Sequence, residues 1–340
     1  MTLPEHVRVV ADALCSSASL MRSGASARDL ARRRRSDALV QVARGWFVAE
    51  ETWSTWFPEA RHLAAVLAVH SNAKEPPLFS HYSAAVLHGL PLWNLRSQNV
   101  HTVSRSHNCD GRVTRHLLDI ADHDIVEIAG LRCTGLDRTL ADLSRIAGEE
   151  LLWGCADAVL RGIARTGRRV DLMAWRAWQD RMRERADASA GNRGVRLLRR
   201  VVELADPRAD SVLESVSRLQ FDRLGIPVEL QTPIPSPDGG LYHIDFKLLG
   251  LGVWGEADGD FKYTDPALLA QLSPGEAALR EKRRDNWISG TTGDRMIHWG
   301  SRAPATTDRF AAMLRSFNVP IPQVRTSHPR RTGSDRGHAR

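Results

Sequence analysis

Apolar residues recur at helical spacing near the start of the chain, and a glycine turn leads into a strand. Val7, Val10 and Leu14 predict a helix over residues 4–15. Ser26 fits the N-cap of a second helix that begins at Ala27 and runs into four consecutive arginines. The spacing predicts a further helix from Ser36 to Val42, then a turn at Arg44-Gly45 and a strand at Trp46-Phe47-Val48. This order predicts a small winged helix-turn-helix domain over residues 1–58.

The pattern then changes to helices that surround a group of short strands, over residues 59–205. Helices are predicted at 59–70, 80–89, 137–146, 149–164, 171–185 and 193–204, and strands at 100–103, 113–118, 125–128 and 131–134. His81, His88, His101 and His116 are scattered through this region, and histidines without metal-ligand spacing are more often structural. We predict a mixed α/β domain that serves as a scaffold or interaction domain.

A third pattern begins at Asp206. It predicts, in order, a helix from Ser211, a strand at 228–231, a hairpin of two strands between Leu241 and Glu256, a helix at 274–288, a strand at 295–299 and a helix at 308–317. That order predicts a small α/β domain over residues 206–320. Residues 321–340 are rich in Arg, Ser, Gly and Pro, which predicts a disordered basic tail. The chain as a whole is predicted to be an α+β multidomain protein.

Carboxylates collect where the predicted hairpin ends. Asp245 lies on its first strand, and Glu256 and Asp258 lie on or just after its second. Residues two apart on a strand point to the same side, so Glu256 and Asp258 can share a cation with Asp245. Hard ions such as Mg²⁺ prefer such oxygen ligands. The alternative is that these acids are solvated, because Asp-Gly is also a common turn signal.

Charge and composition narrow the classes of partner. The chain has 340 residues and a formal net charge of +7, carried largely by arginine. Guanidinium groups match phosphate geometry, so this charge favours a polyanionic partner such as DNA, although a GC-rich genome also enriches arginine. No window approaches the roughly 18 apolar residues of a membrane span. A glycine-rich phosphate loop and a local triad signature are both absent from the sequence, which gives no support to a small-molecule enzyme.

The cysteines and the first residues bear on the compartment. Cys15, Cys109, Cys133 and Cys155 are widely spaced, without the Cys-x-x-Cys pairs of zinc or redox sites. We predict that they are reduced thiols. The start of the chain lacks a basic segment followed by an apolar core, so we predict no signal peptide and a cytoplasmic location.

Two sets of motifs resemble known families. The first set contains Leu213-Glu214-Ser215, His243-Ile244-Asp245-Phe246, Gly255-Glu256-Ala257-Asp258-Gly259 and Glu281-Lys282-Arg283-Arg284. It resembles actinobacterial proteins whose C-terminal domain is similar to the very-short-patch-repair endonuclease, within the PD-(D/E)xK nuclease superfamily. The second set contains the segments 44–48 and 80–91. It resembles AbiEi-type antitoxins, which are winged-helix regulators of type IV toxin–antitoxin systems.

The nuclease resemblance implies roles for particular residues. Asp245 and Glu256 would hold Mg²⁺, or Mn²⁺, with Asp258 as an additional ligand and Glu214 as an assisting helix acid. The superfamily lysine stands two residues after the second acid, and here that place is Asp258. The resemblance therefore implies that Lys262 or Lys282 supplies the positive charge from a shifted position. The implied chemistry is metal-assisted hydrolysis of a phosphodiester.

DNA is the predicted partner. The residues predicted to contact it are Arg28, Arg32, Arg33, Arg34, Arg35, Arg44, Lys282 and Arg284. One hypothesis is a metal-dependent DNA endonuclease with the catalytic set Glu214, Asp245, Glu256 and Lys262. The other is an AbiEi-like repressor or antitoxin with an inactive nuclease-like domain, for which the resemblance implies a toxin partner. The sequence gives no indication of the oligomeric state.

Overall fold

The computed structural model describes residues 4–95, 99–104, 111–259 and 274–322, and this part of the chain is α+β with four separate sheets. The chain divides into two compact units, Met1–Val216 and Ser217–Arg340. No helix within the described ranges is long and apolar enough to cross a bilayer. Cys109, Lys262 and residues 323–340 lie outside the described residues. The division into three domains and a tail stays a prediction.

The first unit begins with three helices and a small antiparallel sheet. The elements are α1 (Glu5–Ala13), β1 (Cys15–Ser16), α2 (Ser17–Arg22), α3 (Ala27–Arg35), β2 (Leu39–Ala43) and β3 (Trp46–Ala49), and the strand order is β1-β3-β2. The predicted cap of α3 is confirmed. The Ser26 hydroxyl accepts from the Asp29 N–H at 3.1 Å, and the Asp29 carboxylate accepts from the Ser26 N–H at 3.1 Å. This capping box fixes where the arginine-rich helix begins.

The helix predicted from Ser36 to Val42 is wrong, because this segment forms strand β2. Asp37 has φ +52°, and the Ala38 N–H donates to the Arg33 carbonyl at 2.9 Å, which closes α3. Gly45, with φ +76°, then turns the chain so that β2 pairs with β3. The arginine run is therefore on the last helix before the hairpin, and α2 is the helix that precedes it.

The rest of the first unit is a five-stranded mixed sheet with helices packed around it. Its elements are α4 (Glu50–Thr55), α5 (Pro58–Asn72), β4 (Leu78–Phe79), α6 (His81–Leu87), β5 (Val100–Ser104), β6 (Val113–Leu117), β7 (Ile125–Ile128), β8 (Leu131–Thr134), α7 (Leu136–Leu143), α8 (Glu149–Ala164), β9 (Arg165–Thr166), β10 (Arg169–Val170), α9 (Leu172–Ala188) and α10 (Val195–Leu204). The strand order is β6-β5-β4-β8-β7. The predicted helices and strands of this region are confirmed, whereas α4, β4, β9 and β10 are additional. Helix α8 lies in the core, since Leu152, Trp153 and Leu160 are buried.

The C-terminal elements follow the predicted order. They are α11 (Val212–Arg223), β11 (Val228–Pro235), β12 (Leu241–Leu248), β13 (Val253–Ala257), α12 (Pro274–Thr292), β14 (Arg295–Trp299) and α13 (Thr307–Ser316). The predicted hairpin is confirmed as the antiparallel pair β12 and β13. The sheet order is β11-β12-β13-β14, in which β14 runs parallel to β13.

Two apolar clusters hold the helices on this sheet. Phe221, Phe246, Trp299 and Phe310 have ring centroids 4.9 to 5.8 Å apart, which joins α11 and α13 to β12 and β14. The other cluster contains Ile234, Ile244, Trp254 and Ile288 and joins α12 to the first three strands. Helix α12 is thereby fixed beside the strands that carry the predicted acids.

Candidate functional site

Asp245 on β12 is held by donors from both neighbouring strands. One carboxylate oxygen accepts from the Ala257 N–H at 2.9 Å, and the other accepts from Nε2 of Gln231 at 3.1 Å. Gln231 has φ +51° within strand β11, a conformation that is rare for a residue with a side chain. Backbone strain of this kind often accompanies functional sites. These contacts fix the orientation of the Asp245 carboxylate.

Glu256 on β13 is almost fully buried, with 3% of its surface exposed. Its Oε1 accepts from Nη2 of Arg284 at 2.7 Å, and Arg284 also donates to the carbonyl of His243 at 3.1 Å. A buried carboxylate needs such a cationic partner, because leaving it unpaired costs several kcal/mol. The guanidinium of Arg284, predicted to contact DNA, is thus engaged by Glu256. Lys282, on the same helix, is exposed.

Asp258 follows β13 and belongs to a network centred on His298. The parallel register of β13 and β14 places His298 beside Glu256. Nδ1 of His298 lies 2.7 Å from Oδ2 of Asp258, and Nε2 lies 2.8 Å from Oδ2 of Asp285. Glu281 contributes a further carboxylate oxygen 3.9 Å from Nδ1.

The charge state of His298 follows from these contacts. The hydrogen bond to Asp258 raises the pKa of His298 to about 9, the negative charge of Asp285 adds to this effect, and burial opposes it. His298 is therefore an imidazolium at pH 7, and both ring N–H groups donate to carboxylates. The positive charge of His298 therefore partly neutralises the carboxylates of Asp258 and Asp285.

Sequence reasoning missed Gln231, His298 and Asp285 as parts of this site. Glu281 and Asp285 are four residues apart on α12, a spacing that places acids on one helix face. That spacing was visible in the sequence. The pairing of β14 with β13 was not, because it joins segments 42 residues apart, as Glu256 and His298 show.

Two groups of three side chains among the described residues have ligand atoms within 4.8 Å of one another. They are Asp258, Glu281 and His298, and His81, His101 and His116. Of the predicted metal ligands, only Asp258 belongs to either group. The carboxylate oxygens of Asp245, Glu256 and Asp258 fit a hard divalent cation in donor type. A cation that binds at Asp258 must compete with the proton on His298.

Glu214 has a local structural role at the start of α11. It is 4% exposed, its Oε2 accepts from the Asp210 N–H at 2.8 Å, and its own N–H donates to the Ser211 hydroxyl at 3.1 Å. The Ser211 hydroxyl thus caps the start of α11, and Glu214 satisfies the N–H of the residue just before that cap. The catalytic role predicted for Glu214 stays a prediction.

The arginines of α3 form an exposed cationic surface. Leu30 is the one buried residue of this helix, whereas Arg28, Arg33 and Arg34 are exposed. Arg32 pairs with Asp29 at 2.8 Å, yet 73% of its side chain remains exposed. Nε of the exposed Arg35 donates to the Ala31 carbonyl at 3.2 Å. The helix can therefore present several guanidinium groups to a polyanion at little desolvation cost.

A second basic surface is a cleft within the first unit. Its volume is about 1390 Å³, and its lining has more basic than acidic residues: Arg44, Arg112, Arg115 and Arg132 against Glu75 and Asp119. Arg112 is partly engaged, because its Nη1 donates to the Val42 carbonyl at 2.6 Å. Of these four arginines, only Arg44 was predicted to contact DNA. The other three are far from one another or from Arg44 in the sequence, and strand β6 and the β7–β8 hairpin bring them to the same cleft.

A comparison with models of known protein families finds no match, and a comparison with curated protein sequences finds none either.

Proposed function

We propose that this chain is a DNA-binding protein whose second unit hydrolyses phosphodiester bonds with the help of a divalent metal ion. The observation that carries the proposal is the placement of three acids at one end of the β12–β13 pair. Asp245 and Glu256 come from adjacent antiparallel strands, and Asp258 follows directly. Each carboxylate is oriented by its own donor. The motif resemblance to the PD-(D/E)xK nucleases supports the same interpretation.

In this proposal Asp245, Glu256 and Asp258 hold Mg²⁺ or Mn²⁺. The bound ion would polarise a phosphoryl oxygen and lower the pKa of a water molecule. Gln231 and the Ala257 N–H keep the Asp245 carboxylate in one orientation, since each binds a different oxygen. Such preorganisation avoids reorganisation during the reaction.

The basic groups beside the acids adjust the local charge. Arg284 neutralises Glu256, and the His298 imidazolium neutralises part of the charge of Asp258 and Asp285. This reduces the repulsion that a phosphate would meet. Lys262 is proposed to stabilise the charge that develops on the phosphate, as the resemblance implies, and it lies outside the described residues.

DNA binding is proposed for the first unit. The order helix, strand, helix, helix, strand, strand, with a small antiparallel sheet, supports a winged helix-turn-helix in which α3 enters the major groove. The exposed arginines of α3 would contact DNA phosphates, and Arg44 at the β2–β3 turn would contact the neighbouring phosphates of the DNA backbone.

The second candidate function is that of an AbiEi-like repressor or antitoxin with an inactive nuclease-like domain and a toxin partner. The ion pair between Arg284 and Glu256 favours it, because a guanidinium bound to a proposed metal ligand competes with a metal. Asp258 at the lysine position favours it as well.

A plasmid assay separates the two functions. The purified full-length protein is incubated with supercoiled plasmid in Mg²⁺, in Mn²⁺ and in EDTA, and binding to short duplexes is measured in parallel. Nicking that requires the metal supports the nuclease. Tight binding without nicking under any condition rejects hydrolysis and leaves the repressor.

A further inference from the structure

Three histidines that are far apart in the sequence meet in the first unit. His81 is the first residue of α6, His101 lies on β5 and His116 lies on β6, and each offers a nitrogen within 4.8 Å of the other two. Strands β5 and β6 pair in parallel, and His101 lies opposite Thr114. His116 is two residues further along β6, on the same side of the sheet, so the two strand histidines are neighbours. We propose that these three imidazoles form a binding site for a transition metal ion of the Zn²⁺ class. The proposal is independent of the proposed nuclease function.

The donor set determines the class of metal. Three imidazole nitrogens suit Zn²⁺, Ni²⁺, Co²⁺ or Cu²⁺, whereas Mg²⁺ prefers oxygen ligands. Three histidines with a fourth position left for water or substrate are a known arrangement for catalytic zinc. His81 and His101 are buried and His116 is only half-buried, so the site is deep but open to solvent on the His116 side.

The hydrogen bonds of the cluster select the nitrogens. The Ser80 hydroxyl lies 3.0 Å from Nδ1 of His81, which leaves Nε2 for a metal. Nδ1 of His101 lies 2.8 Å from Nε2 of His116, so these two nitrogens share one proton. Two nitrogens on one tetrahedral Zn²⁺ lie about 3.3 Å apart, because each Zn–N bond is about 2.0 to 2.1 Å long. Replacing the shared proton by a metal therefore requires the two nitrogens to separate by about 0.5 Å.

The rings must also turn to bind one ion. His81 and His116 are stacked, with centroids 3.8 Å apart and planes 20° apart, and the planes of His101 and His116 are 16° apart. A metal lies in the plane of each ring that binds it, so nearly parallel rings must rotate about χ2. The χ2 torsion of histidine has broad minima, which permits such a rotation.

The surroundings are prepared for neutral ligands. Burial lowers the pKa of His81 to about 2 and that of His101 to about 3, with nearby imidazoles adding to the effect. Both rings are neutral at pH 7, which is the form that binds metals. The positive charges of Arg138 and Arg145 also lower the pKa of His81.

His81 also adopts an uncommon backbone conformation, with φ +51°. This conformation costs free energy for a residue with a side chain, and such outliers concentrate at functional sites. The Ser83 hydroxyl supports the neighbouring strand, since it accepts from the His101 N–H at 2.8 Å and lies 3.0 Å from Nε2 of His62. The bond from the His101 N–H holds the backbone of β5 at this position against α6.

The test measures Zn²⁺ and Co²⁺ binding by the full-length protein after removal of metals with a chelator. Calorimetry with Zn²⁺ gives stoichiometry and affinity, and the visible absorption of bound Co²⁺ reports tetrahedral coordination. We expect His116→Gln to lose one equivalent of Zn²⁺, or to bind it at least 100-fold more weakly. His101→Gln should do the same, and Ser80→Ala, which removes the partner of Nδ1, should weaken binding about 10- to 100-fold.

Two matched substitutions identify the site. His123→Gln changes an exposed histidine of the same unit, and His298→Gln changes the histidine of the acidic network. Both should retain the equivalent that His116→Gln loses, and circular dichroism should show that the variants are folded. If His101→Gln fails to fold, His116→Gln still tests the proposal, because the His116 side chain is only half-buried and its replacement is better tolerated. Zn²⁺ binding with equal stoichiometry and affinity in the wild type and His116→Gln would overturn the proposal, as would binding by neither.

Discussion

The proton on His298 makes the second unit sensitive to pH. The pKa of His298 is raised from 6.5 to about 9 in the folded protein, chiefly by its hydrogen bond to Asp258. The protonated His298 stabilises the folded state. This stabilisation is fully present below pH about 6.5 and is lost as the pH rises through about 9. A shift of this size corresponds to at most about 3 kcal/mol of unfolding free energy.

We therefore expect His298→Gln to destabilise the protein at pH 6 and to differ less from the wild type at pH 9.5. Urea unfolding at a series of pH values measures this difference, and His123→Gln is the control. A wild-type advantage that grows between pH 7 and 9.5 is incompatible with the ion pairs described here.

Arg284 and its neighbour Arg283 provide a test of the buried ion pair. Arg284→Gln leaves Glu256 buried without its cation, which should cost about 3 kcal/mol of unfolding free energy. Arg283 is exposed, so Arg283→Gln should change stability by less than about 0.5 kcal/mol. Thermal or chemical unfolding of both variants checks the prediction. Equal stabilities would show that the pair contributes nothing.

The sequence predicted the acids of the site but not their partners. Asp245, Glu256 and Asp258 were recognisable because they interrupt apolar strand patterns at close spacing. Gln231 and His298 were not recognisable, because their roles depend on which strands pair. A strand pairing between distant segments leaves no local pattern in a single sequence.

At the scale of elements, the cap of α3 was easier to predict than whether a short apolar run forms a helix or a strand. Ser26 and Asp29 carry a local capping signal, and the structure confirms it. Residues 39–43 lacked such a signal, since a short apolar run fits either a helix or a strand. The positive φ of Asp37 and the turn at Gly45 decided in favour of the strand.

Gly255 on β13 packs so closely against Trp299 that a side chain does not fit there. A Cβ at Gly255 would lie 2.6 Å from two ring atoms of Trp299, within the aromatic core. We expect Gly255→Ala to destabilise the second unit by about 1 to 3 kcal/mol through overpacking.

Gly290 is the matched control on α12, because a Cβ there meets no atom within 4 Å. Gly290→Ala should stabilise the protein by up to about 1 kcal/mol through helix propensity. Melting temperatures of the two variants should move in opposite directions, and a stabilising Gly255→Ala would contradict the packing described above.

The arginines of α3 predict the salt dependence of DNA binding. Each phosphate contact contributes about 0.9 to the slope of log K against log salt. Arg33→Ala with Arg34→Ala should lower that slope by up to about 2 and weaken binding to all sequences. The double substitution Arg176→Ala with Arg196→Ala, at exposed positions of α9 and α10 in the same unit, is the control. Equal slopes in both double variants would remove α3 from the DNA interface.

At the scale of the whole molecule, the sequence predicted the class and most of the element order. The α+β class, the hairpin and the helix α12 followed from periodicity. The five-stranded sheet of the first unit did not, because its order β6-β5-β4-β8-β7 mixes parallel and antiparallel neighbours. The meeting of His81, His101 and His116 depends on that order, which explains why they were predicted to be separate structural residues.

The proposed function also assigns separate tasks to separate parts of the chain. Exposed arginines on α3 supply affinity for DNA, and buried or half-buried acids on β12 and β13 supply hydrolysis. A substitution at Asp245 should therefore abolish cleavage while binding is kept or strengthened, since removal of a negative charge near phosphate removes repulsion.

The most direct test of this proposal is the rate of metal-dependent cleavage of a labelled duplex by the wild type, by Asp245→Asn and by Asp238→Asn, with binding measured on the same duplex. Asp238 is exposed in the β11–β12 turn, so it controls for loss of a carboxylate from the same unit. The proposal predicts cleavage by the wild type and Asp238→Asn in Mg²⁺ or Mn²⁺, none in EDTA, and at least a 100-fold lower rate for Asp245→Asn with unimpaired binding. Equal cleavage by Asp245→Asn and the wild type, or no cleavage by any of the three proteins, would contradict it.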